Sequence, residues 1–210
     1  MLVGLLAFGM TGTAAFAQPQ FQLSAGGGAI VDLAWFGLVD GSQTDGFEGL
    51  GWETLPGFGG FVFFDATYLE ASIGFSGGKL NYFETPWKSR TEEVSGSFTA
   101  LNFSLLGKYP FEFGKFSIFP MLGIDYQLFL SAKLEDEEYD DPSELNILWF
   151  KVGVGGDFAL TEKLYLRGTL LFKFSPIANK FAKNVVASLD SAKPSLSVGG
   201  TFKLAVGYKF

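Results

Sequence analysis

The sequence predicts an all-β chain folded as an eight-stranded antiparallel up-and-down transmembrane β-barrel, and three observations carry that expectation. The first is the segment Leu196–Phe210, which alternates with period two. Leu196, Val198, Gly200, Phe202, Leu204, Val206, Tyr208 and Phe210 share one face; Ser197, Gly199, Thr201, Lys203, Ala205, Gly207 and Lys209 share the other. Successive strand side chains point to opposite faces, so one face suits hydrocarbon while the other is small or charged. The second is composition: 28 Gly and 25 Phe beside 8 Pro favour strands and turns over helices. The third is that the connections between alternating segments are themselves alternately short and long.

The beginning of the chain carries no strand pattern. Leu2 to Met10 is apolar, and Ala15-Phe16-Ala17 before Gln18 has the small-x-small form of a secretory cleavage site. Residues 1–17 are therefore expected to be a cleaved signal peptide and 18–210 the barrel domain. The apolar run is shorter than the roughly 20 residues of a membrane-spanning helix. With no Cys and no His, disulfides, structural zinc sites of the Cys/His type and histidine-based catalysis are excluded. A net charge of −7 argues against nucleic acid as a partner, and no cofactor is implied.

The elements follow in order. Strand 1, about Phe21 to Phe36, sets Phe21, Leu23, Ala25, Gly27, Ala29, Val31, Leu33 and Trp35 against Gln22, Ser24, Gly26, Gly28 and Asp32. Strand 2, about Gly57 to Phe64, is apolar on both faces, so its phase is unreadable. Strand 3 sets Leu69, Ala71, Ile73 and Phe75 against Tyr68, Glu70, Ser72 and Gly74, and strand 4 sets Leu101, Phe103, Leu105, Gly107 and Tyr109 against Ala100, Asn102, Ser104 and Lys108. Strand 5 sets Ile118, Leu122, Ile124, Tyr126, Leu128 and Leu130 against Ser117, Asp125, Gln127 and Ser131. Pro120 lacks a ladder donor, which points to a bulge or an unpaired edge there.

Strands 6 and 7 form the most legible hairpin. A turn centred on Glu162 sets Leu160 opposite Leu164, Phe158 opposite Leu166, Val154 opposite Leu170, Val152 opposite Phe172 and Phe150 opposite Phe174, all facing lipid. The same register opposes Asp157 to Arg167 and Lys151 to Lys173 on the inner face, one pair attracting and one repelling. A one-residue slip would exchange the faces. On this reading Val154→Arg is severe, and Gly155→Ser, on the inner face, is mild.

The connections at 65–67, 110–115 and 161–163 are short, whereas 37–56, 81–96, 133–144 and 175–195 are long. Membrane barrels of bacteria keep short turns in the periplasm and long loops outside. A soluble lipocalin-type barrel would use the alternation inside out, but its lumen is too narrow for so many Phe and Leu.

The closing segment, with Tyr208 and Phe210 at its end, resembles the last strand of bacterial outer-membrane β-barrels, and the whole pattern resembles the OmpA, OmpX and OmpW group of small barrels. The resemblance implies an integral outer-membrane protein with its loops outside. It implies outer-membrane lipid and, during biogenesis, the barrel-assembly machinery as partners, with Phe202, Leu204, Val206, Tyr208 and Phe210 as the assembly signal. It also implies a structural or surface-interaction role toward an extracellular ligand or host surface, with a narrow channel as the alternative. The enzymes of this architecture, lipid A acyltransferases, lipid A deacylases and omptin proteases, rely on a catalytic His, so no enzyme is expected.

Inside the barrel, the sequence places a lumen ion network of Glu70, Asp125, Lys151, Asp157, Arg167, Lys173 and Lys203. Asp157 and Arg167 should pair near the short turns, and Lys151 and Lys173 should lie toward the outer end, needing Asp125 or Asp32 between them. Unpaired charges in a narrow lumen are costly, so the interior should be plugged. The third loop carries Glu135, Asp136, Glu137, Glu138, Asp140, Asp141 and Glu144. Oxygen ligands of this kind suit a hard cation, but calcium-loop spacing and its central Gly are missing, so a solvated loop is expected, with Lys180, Lys183 and Lys193 of the fourth loop leaning toward it.

Overall fold

The computed structural model describes residues 21–40, 49–85, 92–135, 137–188 and 193–210; the expected signal peptide lies outside them. Eight strands close a ring: β1 (Leu23–Asp40), β2 (Gly49–Ala66), β3 (Leu69–Thr85), β4 (Glu92–Lys108), β5 (Phe116–Leu134), β6 (Ile147–Ala159), β7 (Leu164–Ser175) and β8 (Ser197–Lys209). Each pairs antiparallel with its sequence neighbours, and β1 pairs with both β2 and β8, leaving no free edge. Eight strands enclose a space just wide enough for side chains to fill.

The outward faces form a belt of Leu, Ile, Val and Phe. Val154 and Leu170 are 53% and 61% exposed, and Phe202, Leu204 and Val206 face out with them. Charged groups turn inward instead: Lys151, Arg167, Lys173 and Lys203 are each 3% exposed or less. The β6–β7 hairpin has the register read from the sequence, with Phe150 opposite Phe174, Lys151 opposite Lys173, Val154 opposite Leu170 and Asp157 opposite Arg167. Its turn is stapled by the Thr161 hydroxyl, which accepts from the amides of Lys163 (3.2 Å) and Leu164 (2.9 Å).

Several strands run further than their apolar alternation. β2 begins at Gly49 rather than Gly57, β3 continues to Thr85 and β4 starts at Glu92. Beyond the hydrocarbon an outward residue need not be apolar: Lys79 and Ser97 pair across β3 and β4 with both side chains exposed. Because a tilted strand crosses the apolar band in roughly 9–11 residues, the 17 to 19 residues of β1 to β5 stand well above it. β6 to β8 have only 12 or 13. The rim at the loop end is therefore high on one side and low on the other.

Irregularities shift the phase in places. Gly37, with φ of +62°, sits in a bulge of β1 against Trp52 and Leu50, so Phe36 and Val39 both turn inward. A bulge in β5 between the pairs Thr99–Ser131 and Ala100–Phe129 brings Ala132 inward and leaves Ser131, expected inside, half-buried and bonded to Thr99 at 2.7 Å. Tyr68, also expected inside, precedes β3 and faces out beside Tyr109, the ring centroids 5.9 Å apart. At Pro120 no bulge forms: it pairs in register with Val154. Its carbonyl accepts from the Tyr109 amide on the β4 side (3.4 Å). A strand residue's N–H and C=O point to the same neighbour, so the missing donor faces the gap between Lys108 of β4 and the short strand Phe111–Phe113, and the β6 ladder loses nothing.

The fourth loop, expected as a long connection, contains a helix, α1 (Lys180–Ser188). Phe181, Ala182, Val185 and Val186 form its apolar face, and the Asn179 side chain caps it by accepting from the Ala182 amide (3.0 Å). Nine residues do not hold a helix alone in water. α1 is fixed because Ala182 is buried with Val39 and Leu50 of the high rim.

Candidate functional site: a layered lumen

Read from the turn end to the loop end, the inward side chains change from an arginine-centred cage to separate lysine–carboxylate pairs to an aromatic cluster. The turn-end layer is built around Arg167 on β7. Its Nη1 donates to Asp65 (2.6 Å) and Glu70 (2.7 Å), and its Nε and Nη2 grip Asp157 (2.7 and 2.8 Å). Lys108 adds a second cation on Asp65. The guanidinium also lies 4.9, 5.1 and 5.2 Å from the ring centres of Phe63, Phe119 and Tyr165. Each ring occupies space left by an inward glycine on a facing strand. A Cβ on Gly26 would strike Phe63, one on Gly155 would strike Phe119 and one on Gly207 would strike Tyr165. Gly155→Ser is therefore not mild: the position is small because a ring fills it.

Above this layer each lysine faces a carboxylate, Lys203 sharing Glu70 with Arg167. Lys203 donates to Ser72 (3.0 Å), stands 3.8 Å from Glu70 and lies 4.8 Å over Phe61. Lys151 pairs with Asp125 (3.2 Å), which also accepts from Ser104. Lys173 pairs with Asp32, which accepts from Thr201 (2.6 Å) as well. The two lysines that repel across the hairpin are thus divided between Asp125 and Asp32. Counting Lys108, Lys151, Arg167, Lys173 and Lys203 against Asp32, Asp65, Glu70, Asp125 and Asp157, this network is electrically balanced.

The third layer corrects the expectation of a charged interior up to the outer end. Lys173 lies 4.5 Å under the Trp149 ring, and beyond it Phe36, Trp52, Leu80, Phe98, Phe129, Leu145, Ile147 and Trp149 form a buried cluster. Lys151 and Lys173 therefore sit at mid-lumen. Trp149 donates to Gln127 (2.9 Å) at the boundary. α1 closes the top: Phe181 meets Trp52 edge-on at 5.5 Å, and Tyr82 and Tyr139 flank the same indole at 5.3 and 5.6 Å.

The acidic third loop serves this closure. Asp141 caps the 3-10 turn Pro142–Leu145 through the Ser143 amide (3.1 Å). Lys180 bonds Asp141 (3.1 Å) and Glu144 (3.4 Å), and Asn184 donates to Glu144 (2.9 Å). The Ser143 hydroxyl and then Lys180 hold the Asp141 carboxyl below its ordinary range, and Asp141 and Glu144 raise Lys180. Burial, then Glu144, pushes the Tyr139 phenol up to about 12, so it remains a donor to Glu144 (3.3 Å). Glu137 and Glu138 pair with the end of β5, and Asp136 lies outside the described residues. Among the described residues no three acidic groups converge on a metal position.

The seven network residues named from the sequence all lie in the lumen. Asp65 and Lys108 were missed as members, Asp65 because it reads as a turn residue. Phe61 and Phe63 were hidden in a strand apolar on both faces, which is itself the signal that rings line the interior. At the closing strand, Phe202, Leu204, Val206, Tyr208 and Phe210 all face outward, and Tyr208 meets Phe210 edge-on at 5.7 Å.

Neither a family model nor a curated protein sequence matches this chain. Among solved structures it is similar to Neisserial surface protein A, with TM-score 0.51 at 12% identity over 90% of this chain and 97% of that one. The fold is that of a small outer-membrane β-barrel. OprG of Pseudomonas aeruginosa aligns with TM-score 0.49 at 15% identity, over 92% and 98% of the two chains. Ail, the attachment invasion locus protein of Yersinia pestis, aligns with 0.48 at 12%, over 91% and 100%. The ring closure and the apolar belt agree with that fold: this is an integral outer-membrane barrel.

Proposed function

We propose that this barrel is a sealed scaffold that acts through its loop end, as a structural or surface-interaction protein contacting an extracellular ligand or host surface, and that it carries no catalytic chemistry. The observation that supports this reading best is the lumen itself. A balanced ion network is overlaid by an aromatic cluster, and α1 is clamped over that cluster by Lys180. Moving a solute through it would require breaking buried ion pairs and expelling Trp52 and Phe129 from a packed core. The α1 helix and the turn beside it form a defined surface rather than an open mouth, which suits recognition.

Planar-bilayer recording tests the sealed lumen: the wild-type barrel should show no steady current. Large, stable single-channel currents would replace this reading with a narrow channel. Cell-surface binding gives the second measure. Replacing Phe181, Ala182, Val185 and Val186 together by Ser should abolish loop-end binding while the barrel still folds.

A further inference from the structure

The lumen is closed at the loop end, yet at the turn end it opens into a polar vestibule of about 140 Å³. That is several times the roughly 30 Å³ share of one water molecule. Its floor is the Arg167 cage. A chamber with one mouth holds a solute rather than passing it on.

Three of the cations around this chamber lie against aromatic rings. Lys108 Nζ lies 4.4 Å from the Phe119 ring centre, Arg167 lies 5.1 and 5.2 Å from those of Phe119 and Tyr165, and Lys209 Nζ lies 5.8 Å from that of Tyr165. Lys115, from the turn before β5, lines the same space. Lys108 and Arg167 are balanced within the lumen network, so the vestibule adds Lys115 and Lys209 against Glu112, one cation more than its carboxylates.

Donor accounting sharpens the imbalance. Asp157 gives both oxygens to Arg167, and Asp65 is shared by Arg167 and Lys108. An ammonium has three N–H donors and a guanidinium five. Lys108 directs one of its three to Asp65, and Arg167 makes four bonds, so donors remain on both. Lys115 and Lys209 form no ion pair among the described residues.

We propose that the vestibule is a binding site for a small oxyanion, a phosphate or carboxylate group, entering from the turn side and held by Lys115 and Lys209 at the mouth with Lys108 and Arg167 at the floor. A cation is disfavoured because Asp65 and Asp157 are already paired and Glu112 is outnumbered by Lys115 and Lys209. An apolar ligand is disfavoured because Ser24, Thr67 and charged groups line the walls. The site is separate from the loop end and does not depend on what the loops contact.

Calorimetric titration of the folded barrel in zwitterionic detergent with inorganic phosphate, against chloride at equal ionic strength, tests it. Phosphate should bind saturably. The variant Lys115→Gln/Lys209→Gln should bind at least about tenfold more weakly, as expected for lost charge-assisted contacts, while keeping the heat-dependent gel mobility of a folded barrel. Lys163→Gln, which removes a cation lying over the outward Tyr208 ring, should bind like the wild type. Absence of saturable binding, undiminished binding in the double variant, or an equal loss in Lys163→Gln would overturn the proposal. Nanodiscs identify the source of the oxyanion. If phosphatidylglycerol, unlike phosphatidylcholine, competes phosphate out, a lipid headgroup fills the site; if it does not, the ligand is soluble.

Discussion

At the scale of single residues, the interior is governed by what each side chain leaves for its neighbour. Gly155 lies on an inner face where a small polar group looks harmless, yet Phe119 occupies the space a Cβ needs. Gly155→Ser should lower stability by about 1–3 kcal/mol, the usual range for overpacking, seen as a lower urea midpoint in detergent. Arg167 shows the reverse case. Removing it leaves Asp157 without its partner and Asp65 and Glu70 with only Lys108 and Lys203, and breaking one partner of a buried pair costs about 3–5 kcal/mol. Arg167→Met should lose that much, and Arg167→Met/Asp157→Asn should recover part of it. A double variant no more stable than the single one would show that Asp157 is not the group left exposed to the deficit.

At the scale of elements, α1 is the piece most open to solution conditions, because its clamp is exposed. Asp141 titrates below its ordinary 3.8, so its contribution is present above that value and is lost as pH falls through the lowered one. Lys180 titrates above its ordinary 10.5, so its contribution is present below that value and is lost as pH rises through the raised one. The clamp should therefore hold across the window between them. The protection of α1 amides against hydrogen exchange, taken relative to the intrinsic rate at each pH, should fall below about pH 4 while the barrel strands keep theirs; protection in α1 that ignores acid would remove Asp141 from the clamp.

β8 gives the second element-scale prediction. Tyr208 at its end and Phe210 just after it both face outward, and neither ring supports the lumen. Tyr208→Ser/Phe210→Ser should reduce the amount of barrel assembled in the outer membrane, measured by surface protease protection, far more than it affects refolding in detergent. Unchanged surface levels would mean that the closing strand is not the signal.

At the scale of the whole molecule, the faces are fixed by solvent. Val154 stands mid-belt, and an arginine there should cost about 2–4 kcal/mol when the barrel refolds into bilayers, with a much smaller cost in flexible detergent micelles. A wild-type protein that stays monodisperse without detergent would contradict the belt altogether.

How far the sequence reached depends on which force sets each feature. The phase of every strand with a clean alternation, the β6–β7 register and the inward position of Arg167 and the lysines were legible, because hydrocarbon outside and a narrow lumen inside impose a local period of two. Strand ends were not legible above the membrane, where Lys79 and Ser97 can face water and the period loses its meaning. Nor was α1, whose nine residues depend on the rim of β1 and β2 for their stability. The sequence by itself determined that this chain is a membrane barrel with a charged, paired interior. Only the tertiary structure decided that the interior is layered, that Phe63, Phe119 and Tyr165 close around Arg167 through spaces left by Gly26, Gly155 and Gly207, and that aromatic rings seal one end. The glycine–ring fits lie across directly paired strands and the Arg167 contacts join β7 to the distant Asp65 and Glu70; in both, the size or charge of one residue is set by a neighbour across the sheet or lumen that no single strand's pattern announces.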